Sequence, residues 1–581
     1  MKSKFSIIIK YLKPHKKELL LGAVALVVVN LFSVLIPIEV RNIIDELEVS
    51  FSFGYLLKQS ILIACLATLM AIIRLISRQL VFGVGRKIEV RLRQKIFDHL
   101  LVQDPDWAQT TGSGEIISRA TSDVENIRRL LGFTILSLTN TCLAYSLTIP
   151  AMFSIDRILT LSSLLIFPLI LGTVGLFGSK MVSQRKSQQE ALSRLSEIIQ
   201  EDLNGISAIK IYGQEISEGY AFDELNKKYR DSAIRLAKTA STLFPLLQGI
   251  SSISLLLLIT LGSVKLSNDS ITIGELVALI LYVERLVFPT ALLGFTLNTF
   301  QLGQVSLDRV EEIINNEPKI YDKPSNISLT KPIKGKIEAR NLTVKFISRV
   351  EPTLKGLSFT INPGELVAIV GPVGCGKTTL AKSLGRTIEI KEGQLFLDDI
   401  DITKLKLSEL RKNIAIVPQE SFLFTSTISD NIKFGVPEAS DKDVMKAAIK
   451  SELINDINGF PDKFKTIVGE RGITLSGGQR QRTALGRALI INTKVLVLDD
   501  ALASVDNETA SRIISSIREN TNKTILMISH QLSAAAACDR VIVIKDGKLN
   551  QQGTHKVLIK EEGLYRKLWE REKAEKKIQT I

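Results

Sequence analysis

Three short stretches carry side chains suited to phosphate chemistry. The first is Gly371-Pro372-Val373-Gly374-Cys375-Gly376-Lys377-Thr378, continued by Thr379. Glycines at this spacing let backbone N–H groups surround a phosphate. Lys377 can reach the outer phosphate oxygens, and the Thr378 hydroxyl can ligate Mg2+. An apolar run at 366–370 precedes it and a helix-forming run follows, which is the context a P-loop requires. The second stretch is Leu475-Ser476-Gly477-Gly478-Gln479, ahead of a basic amphipathic run. It suits a helix N-terminus whose free N–H groups face an anion. The third is Val495-Leu496-Val497-Leu498-Asp499-Asp500, closed by Ser504-Val505-Asp506. Four β-prone apolar residues and then two carboxylates suit a buried parallel strand with a metal at its C-terminal edge. Together the three stretches imply a nucleotide with Mg2+.

Two kinds of element must position these residues. The region 337–570 alternates short strands with helices, an α/β pattern. A linker at 316–336, with Pro318, Pro324, Asn326, Pro332 and Gly335, precedes it, and a charged tail at 571–581 follows. The N-terminal part, 1–315, is different. Apolar runs at about 19–38, 59–82, 131–153, 159–178, 247–266 and 276–300 are each long enough to span a bilayer core. The loops near 39–58, 154–158 and 267–275 are short; the segments 83–130 and 179–246 are long and charged. The fold class expected is therefore an all-α domain of six transmembrane helices, then an α/β P-loop domain.

Charge sets the orientation. The 581 residues carry a formal net charge of +14. Lys and Arg concentrate at the N-terminus and in the two long segments, for example Arg86, Lys87, Arg91, Lys95, Lys180, Arg185 and Lys227. The positive-inside rule makes those segments, both chain ends and the α/β domain cytoplasmic. The basic residues are scattered rather than interleaved with aromatics, so no nucleic acid is expected as a partner. Cys65, Cys142, Cys375 and Cys538 lie far apart, with neither disulfide nor zinc spacing. Glu284 and Arg285 fall inside the sixth span. They either line a polar path or face a neighbouring helix. His15, His99 and His555 have no chemical context.

On these motifs the chain resembles an ATP-binding cassette (ABC) exporter half-transporter of the multidrug or lipid type. The resemblance covers nearly the whole chain. Leu475-Ser476-Gly477-Gly478-Gln479 is similar to the family signature, which caps ATP held by the P-loop of a partner domain. A dimer sandwiching a pair of ATP molecules is implied. Further positions match the family pattern: Gln419 in Val417-Pro418-Gln419 as a Mg2+-contacting loop glutamine, Asp499 as the metal aspartate, Asp506 as the loop aspartate that crosses to the partner, and His530 in Ile528-Ser529-His530 as the switch histidine. Coupling helices are expected within 112–123 and 204–214.

Two positions depart from the family pattern. Phe346 stands where a tyrosine usually stacks on adenine; it keeps the π face for stacking, or is simply packed. Asp500 stands where a glutamate orients the attacking water as general base. Its carboxylate lies about 1–1.5 Å back, roughly one C–C bond, so hydrolysis is expected to be slow unless a water or a backbone shift compensates. A weakened base beside a complete signature resembles the degenerate-site subunit of bacterial heterodimeric exporters. What this implies is a second, different half-transporter as partner, a hydrophobic or amphipathic substrate such as a drug, and a place in the bacterial inner membrane. A homodimeric lipid or lipid-A-like flippase is the alternative of the same architecture.

Overall fold

A computed structural model describes residues 2–49, 52–329, 331–346, 350–519 and 522–579. The chain divides into two compact units. One comprises residues 1–100 and 112–316, the other 101–111 and 317–581.

The first unit is built from six long helices: α1 (Ser6–Val49), α2 (Phe53–Val102), α3 (Ser113–Ile155), α4 (Arg157–Asn204), α5 (Glu215–Ser267) and α6 (Ile273–Ile314). They run 42 to 53 residues each. A bilayer core needs only about 20 residues at ~1.5 Å per residue, so every helix continues well beyond it. The six-span all-α expectation is borne out.

The loop expected at 39–58 is mostly absent. Within it α1 continues to Val49 and α2 starts at Phe53; residues 50 and 51 lie outside the described residues. Charged side chains extend α1 here. Arg41 pairs with Asp45 one turn on, at 3.6 Å, and with Glu275 at 3.0 Å. Asp45 then caps the start of α6 by accepting from the Gly274 N–H at 2.9 Å. The loop at 154–158 is as short as expected. Asp156 caps α4 through the Leu159 N–H at 2.8 Å.

The coupling-helix expectations fare differently. A short helix, Ile206–Tyr212, lies inside 204–214 and stops at Gly213, where φ is +62°. Residues 112–123 instead begin α3, with a π-helical stretch at Arg119–Asp123. The separate short helix is Pro105–Thr111, which belongs to the second unit. Proline at the first helical position pre-sets its start, and Gly112 at φ +79° ends it. Asp104 anchors it by accepting from the Lys319 and Ile320 N–H groups at 2.8 and 3.2 Å.

Glu284 and Arg285 do not pair with each other. Glu284 is exposed. Arg285 donates from Nη2 to Asn30 Oδ1 at 2.8 Å, and Asn30 Nδ2 donates to Asn140 Oδ1 at 3.1 Å. The arginine thus joins α6 to α1 and α3.

The second unit has two sheets. β1 (Ile337–Val344), β2 (Leu354–Ile361), β4 (Leu395–Leu397) and β5 (Ile400–Asp401) form an antiparallel sheet in the order β2-β1-β4-β5. β3 (Leu366–Val370), β6 (Ile414–Val417), β7 (Val495–Asp499), β8 (Thr524–Ile528), β9 (Arg540–Lys545) and β10 (Lys548–Gly553) form the other, in the order β10-β9-β3-β8-β7-β6. β9, β3, β8, β7 and β6 run parallel. Every residue of β3, β7 and β8 is buried, as continuous apolar runs in a parallel sheet require. Four helices matter for the site or its supports: α7 (Lys377–Leu384), α8 (Gly477–Leu489), α9 (Asn507–Arg518) and α10 (Leu564–Gln579). The last continues through 571–579; residues 580 and 581 lie outside the described residues. The linker is tied down in places: Ile327 N donates to Lys404 O at 2.9 Å, and Asp322 accepts from Leu407 N at 2.8 Å. Thr330 in it is outside the described residues.

Candidate functional site

The candidate residues gather at the carboxyl ends of neighbouring parallel strands. The 371–376 loop follows β3, Asp499 ends β7, Gln419 comes two residues after β6, and His530 two residues after β8. In an open parallel sheet this edge is where ligands bind, because loops diverge there and helix N-termini point at it.

The 371–376 loop delivers its lysine to the start of α7. Gly376 has φ +105°, and a Cβ there would meet Leu354 Cδ2 at 2.6 Å, so only glycine fits. Lys377 is 6% exposed. Its ammonium donates to the carbonyls of Gly371 and Pro372 at 2.8 and 3.0 Å, which holds the cation beside the loop's own backbone. Val373 is exposed at the tip, whereas Cys375 is buried against the core. Burial pushes the Cys375 thiol up, so it stays protonated.

Thr378 Oγ1 donates to Asp499 Oδ1 at 3.3 Å. A hydroxyl and a carboxylate this close make an oxygen donor set that suits Mg2+, which takes one or two carboxylates and keeps several waters. Among the described residues no cluster of three or more His, Cys, Asp or Glu suggests a different metal. Asp499 is buried, and burial pushes its carboxyl above the usual range, with the charge of Asp500 adding to the effect. The Thr378 hydroxyl and the Lys377 ammonium work the other way.

This shift has a measurable consequence. A carboxyl whose pKa is higher folded than unfolded destabilises the fold as pH rises through the interval between the two values; below that interval there is no penalty. Asp499→Asn removes it. The nucleotide-free variant is expected to melt higher than the parent at neutral pH and at the same temperature as the parent below the ordinary carboxylate range. Added Mg-ATP should then stabilise the variant far less than the parent. Scanning fluorimetry at two pH values reads both effects.

Asp500 has an unusual backbone, left-handed at φ +52°. Aspartate tolerates this better than most residues. Its N–H donates to Ile528 O at 2.9 Å, and Oδ1 accepts from the His530 N–H at 3.4 Å. The carboxylate is therefore turned toward the segment after β8. His530 itself is exposed, as is Gln419.

Ser476 starts α8 as its N-cap. Its Oγ accepts from the Gln479 N–H at 3.3 Å, while Gln479 Oε1 accepts from the Ser476 N–H at 2.9 Å. This reciprocal box satisfies two helix-end donors. Gly478 has no room for a side chain, since a Cβ would lie 2.9 Å from Ser504 O. Asp506 caps α9 by accepting from the Thr509 N–H at 2.9 Å, and that hydrogen bond holds its carboxyl below the usual range. Phe346 follows β1 and packs, half-buried, on the core under the antiparallel sheet.

The site has a support that the motif reading missed. Gln481, 8% exposed, donates from Nε2 to Asp500 O at 3.5 Å and accepts from the Ser504 N–H at 2.9 Å. It couples α8 to the turn that carries both carboxylates. Asp456 accepts from Gln479 Nε2 and pairs with Arg482, each at 3.0 Å. Glu572 of α10 accepts from the Leu532 N–H at 2.6 Å, two residues beyond His530. A polar residue facing inward in an otherwise amphipathic helix was the available signal for Gln481; Glu572 had none.

The family model of the ABC transporter transmembrane region matches residues 19–290, and the ABC transporter model matches residues 354–503. The multidrug resistance-like ATP-binding protein MdlA of Buchnera aphidicola subsp. Baizongia pistaciae is 36% identical over 503 residues, 86% of each chain. The chain belongs to the ABC transporter family. Its two units form an ABC exporter, a membrane protein with an attached ATPase. The ATP-dependent lipid A-core flippase of Syntrophus aciditrophicus is 30% identical over 496 residues, 85% of this chain and 82% of that one. A solved structure of a bacterial Atm1-family ABC exporter with ATP bound superposes with a TM-score of 0.79 at 25% identity, covering 95% of this exporter and 99% of that chain.

Proposed function

We propose that this chain is the slow-site half of a heterodimeric exporter for hydrophobic or amphipathic molecules. The observation that carries the reading is the Asp499-Asp500 pair at the end of β7. ATP lies on the 371–379 loop with its phosphates on the backbone N–H groups and Lys377. Thr378, Asp499 and Gln419 would hold Mg2+, which would supply charge neutralisation on the phosphates. Asp500 is the short general base, His530 stands near the terminal phosphate, and Phe346 stacks on the adenine.

Ser476, Gly477, Gly478, Gln479 and Asp506 serve the partner's ATP. In support, no hydrogen bond or ion pair among the described residues joins 371–379 to 475–479. Closing the ATPase units on ATP is a population shift set by tighter binding in the closed state. Short apolar elements pass it to the membrane helices: Ile211 and Tyr212 are 76% and 74% exposed on the helix Ile206–Tyr212. An exposed aromatic shelf of Phe422, Phe424 and Phe434 offers a matching surface to the partner's equivalent helix. The chain ends and the ATPase unit face the cytoplasm, with the spans in the bacterial inner membrane.

Purified alone, the chain is expected to bind ATP yet turn it over at least about tenfold more slowly than the assembled pair, given what a ~1 Å misplacement does to a reaction. Brisk ATPase activity of the chain as a homodimer would overturn the heterodimer. A homodimeric lipid flippase is the second reading, favoured by the likeness to lipid A-core flippases. Flux of dyes against labelled lipids in vesicles, with and without a co-expressed partner, separates the two.

A further inference from the structure

Two arginines stand inside apolar runs, where a charge is costly and marks a functional path. Arg285 lies nine residues into the run 276–300, roughly 14 Å at ~1.5 Å per residue. Arg74 lies eight residues before the end of the run 59–82, roughly 12 Å from that end. An arginine near a span's end escapes the hydrocarbon by reaching out toward the headgroups. Arg74 does the opposite. Its Nη2 donates to Met70 Sδ at 3.5 Å, one turn back along α2 and away from that helix's charged extension.

The two guanidinium groups converge on one turn of α1. Arg285 Nη2 donates to Asn30 Oδ1 at 2.8 Å and to Asn30 O at 3.4 Å. Ser33, three residues on, donates from Oγ to the same Met70 Sδ at 3.1 Å. Arg74 thus approaches this turn from α2 and Arg285 from α6. They are near enough for their charges to repel.

Neither charge is neutralised within the chain. Their hydrogen-bond partners are an amide, a carbonyl and a thioether, and a thioether is a weak acceptor. Among the described residues no Asp or Glu pairs with either arginine. Glu284 is exposed and stands about 100° round α6 from Arg285. Arg74 is exposed and Arg285 partly so, so both can be reached from outside the chain. Like charges held together in a low-dielectric setting attract an anion strongly. Phe288, three residues from Arg285 and so beside it on α6, is exposed and offers apolar surface next to the charge.

We propose that Arg74 and Arg285 form an anion subsite on the transport path, and that the exported molecules are amphiphiles with an oxyanion at one end. The oxyanion lies between the two guanidinium groups, whose planar forks suit it, and the apolar chain lies along Phe288. This rests on the reading of the chain as an exporter of hydrophobic or amphipathic molecules.

The test uses the full-length chain in its assembled transporter, in phosphatidylcholine nanodiscs without ATP. The probes are fluorescently labelled dodecyl sulfate and labelled dodecanol, each referred to empty nanodiscs. The sulfate is expected to bind about tenfold or more tighter than the alcohol, the gain from hydrogen bonds to a charged group. Arg74→Gln and Arg285→Gln should each narrow the gap, and the double variant should bring it near parity, with ATP binding unchanged. Arg74→Lys with Arg285→Lys should restore most of it. Labelled phosphatidylglycerol preferred over labelled phosphatidylcholine would make a bilayer lipid the source of the oxyanion; a gap confined to dodecyl sulfate would make it a single-chain amphiphile. Equal affinities in the unmodified protein, or a gap that survives the double variant, overturns the subsite. Dissociation of the subunits in the double variant also overturns it, by giving the arginines to a carboxylate of the partner. ATP-driven flux of the same probes in vesicles checks the exporter separately: a binding gap without flux would sink the exporter and leave the anion subsite standing.

Discussion

Asp500→Glu raises ATP turnover at its own site by about 10- to 100-fold, the range that a ~1 Å correction of a reacting group can supply. The structure gives the substitution a specific meaning. Asp500 sits in a left-handed backbone at φ +52°, and its carboxylate accepts from the His530 N–H at 3.4 Å. A side chain this short reaches the neighbouring loop. One more methylene carries the carboxylate outward, to where an attacking water would be held. Two separate effects are expected. A longer side chain tolerates left-handed backbone less well than aspartate, at a cost of roughly 1 kcal/mol. A hundredfold gain in rate corresponds to about 2.7 kcal/mol of barrier. The first acts on folding and the second on the reaction barrier, so the variant should be slightly less heat-stable and markedly faster. Steady-state ATPase of the assembled pair reads the rate, and single-turnover measurement assigns it to this site. No rise in single-turnover rate would sink the account of Asp500 as a base of insufficient reach.

Most of the architecture was legible because it rests on local patterns. Apolar runs of bilayer length, and continuous β-prone runs ahead of Gly371 and Asp499, specify their elements without help from distant residues. The ends of those elements were less legible. At 39–49 charged residues read as a loop, yet Arg41, Asp45 and Glu275 pair with one another and with the start of α6. Such pairing joins residues more than 200 positions apart, which no local window contains. Residues 112–123, where a coupling helix was expected, open α3 behind Gly112 as its N-cap, and the separate short helix Pro105–Thr111 ends at the same glycine, at φ +79°. At the site, the motifs named the residues that gather at the carboxyl edge of the parallel sheet. They missed Gln481 and Glu572, which hold the loops in place, because a supporting hydrogen bond leaves no spacing signature. The left-handed turn at Asp500 was equally invisible, since aspartate is common in many backbone states.

Ser476→Ala is expected to lower hydrolysis at the site built on the partner's P-loop by about 10²-fold, the loss typical of removing one donor from a developing charge. ATP affinity at Lys377 of its own chain should change little. The alanine variant alone is ambiguous, because Ser476 also caps α8. Loss of an N-cap costs about 0.5–2 kcal/mol and would loosen the whole first turn. Ser476→Asp separates the two roles. Aspartate caps a helix as well as serine does and favours the positive end of the helix dipole. The start of α8 and the melting temperature should therefore be preserved. Its negative charge, however, would face the terminal phosphate of the partner's nucleotide, where like charges repel. If Ser476 does no more than cap α8, Ser476→Asp turns over ATP like the parent. If it serves the partner's nucleotide, Ser476→Asp is folded, binds ATP on its own P-loop, and is at least as impaired as Ser476→Ala. The aspartate variant thus distinguishes a helix cap from a phosphate contact made across the interface.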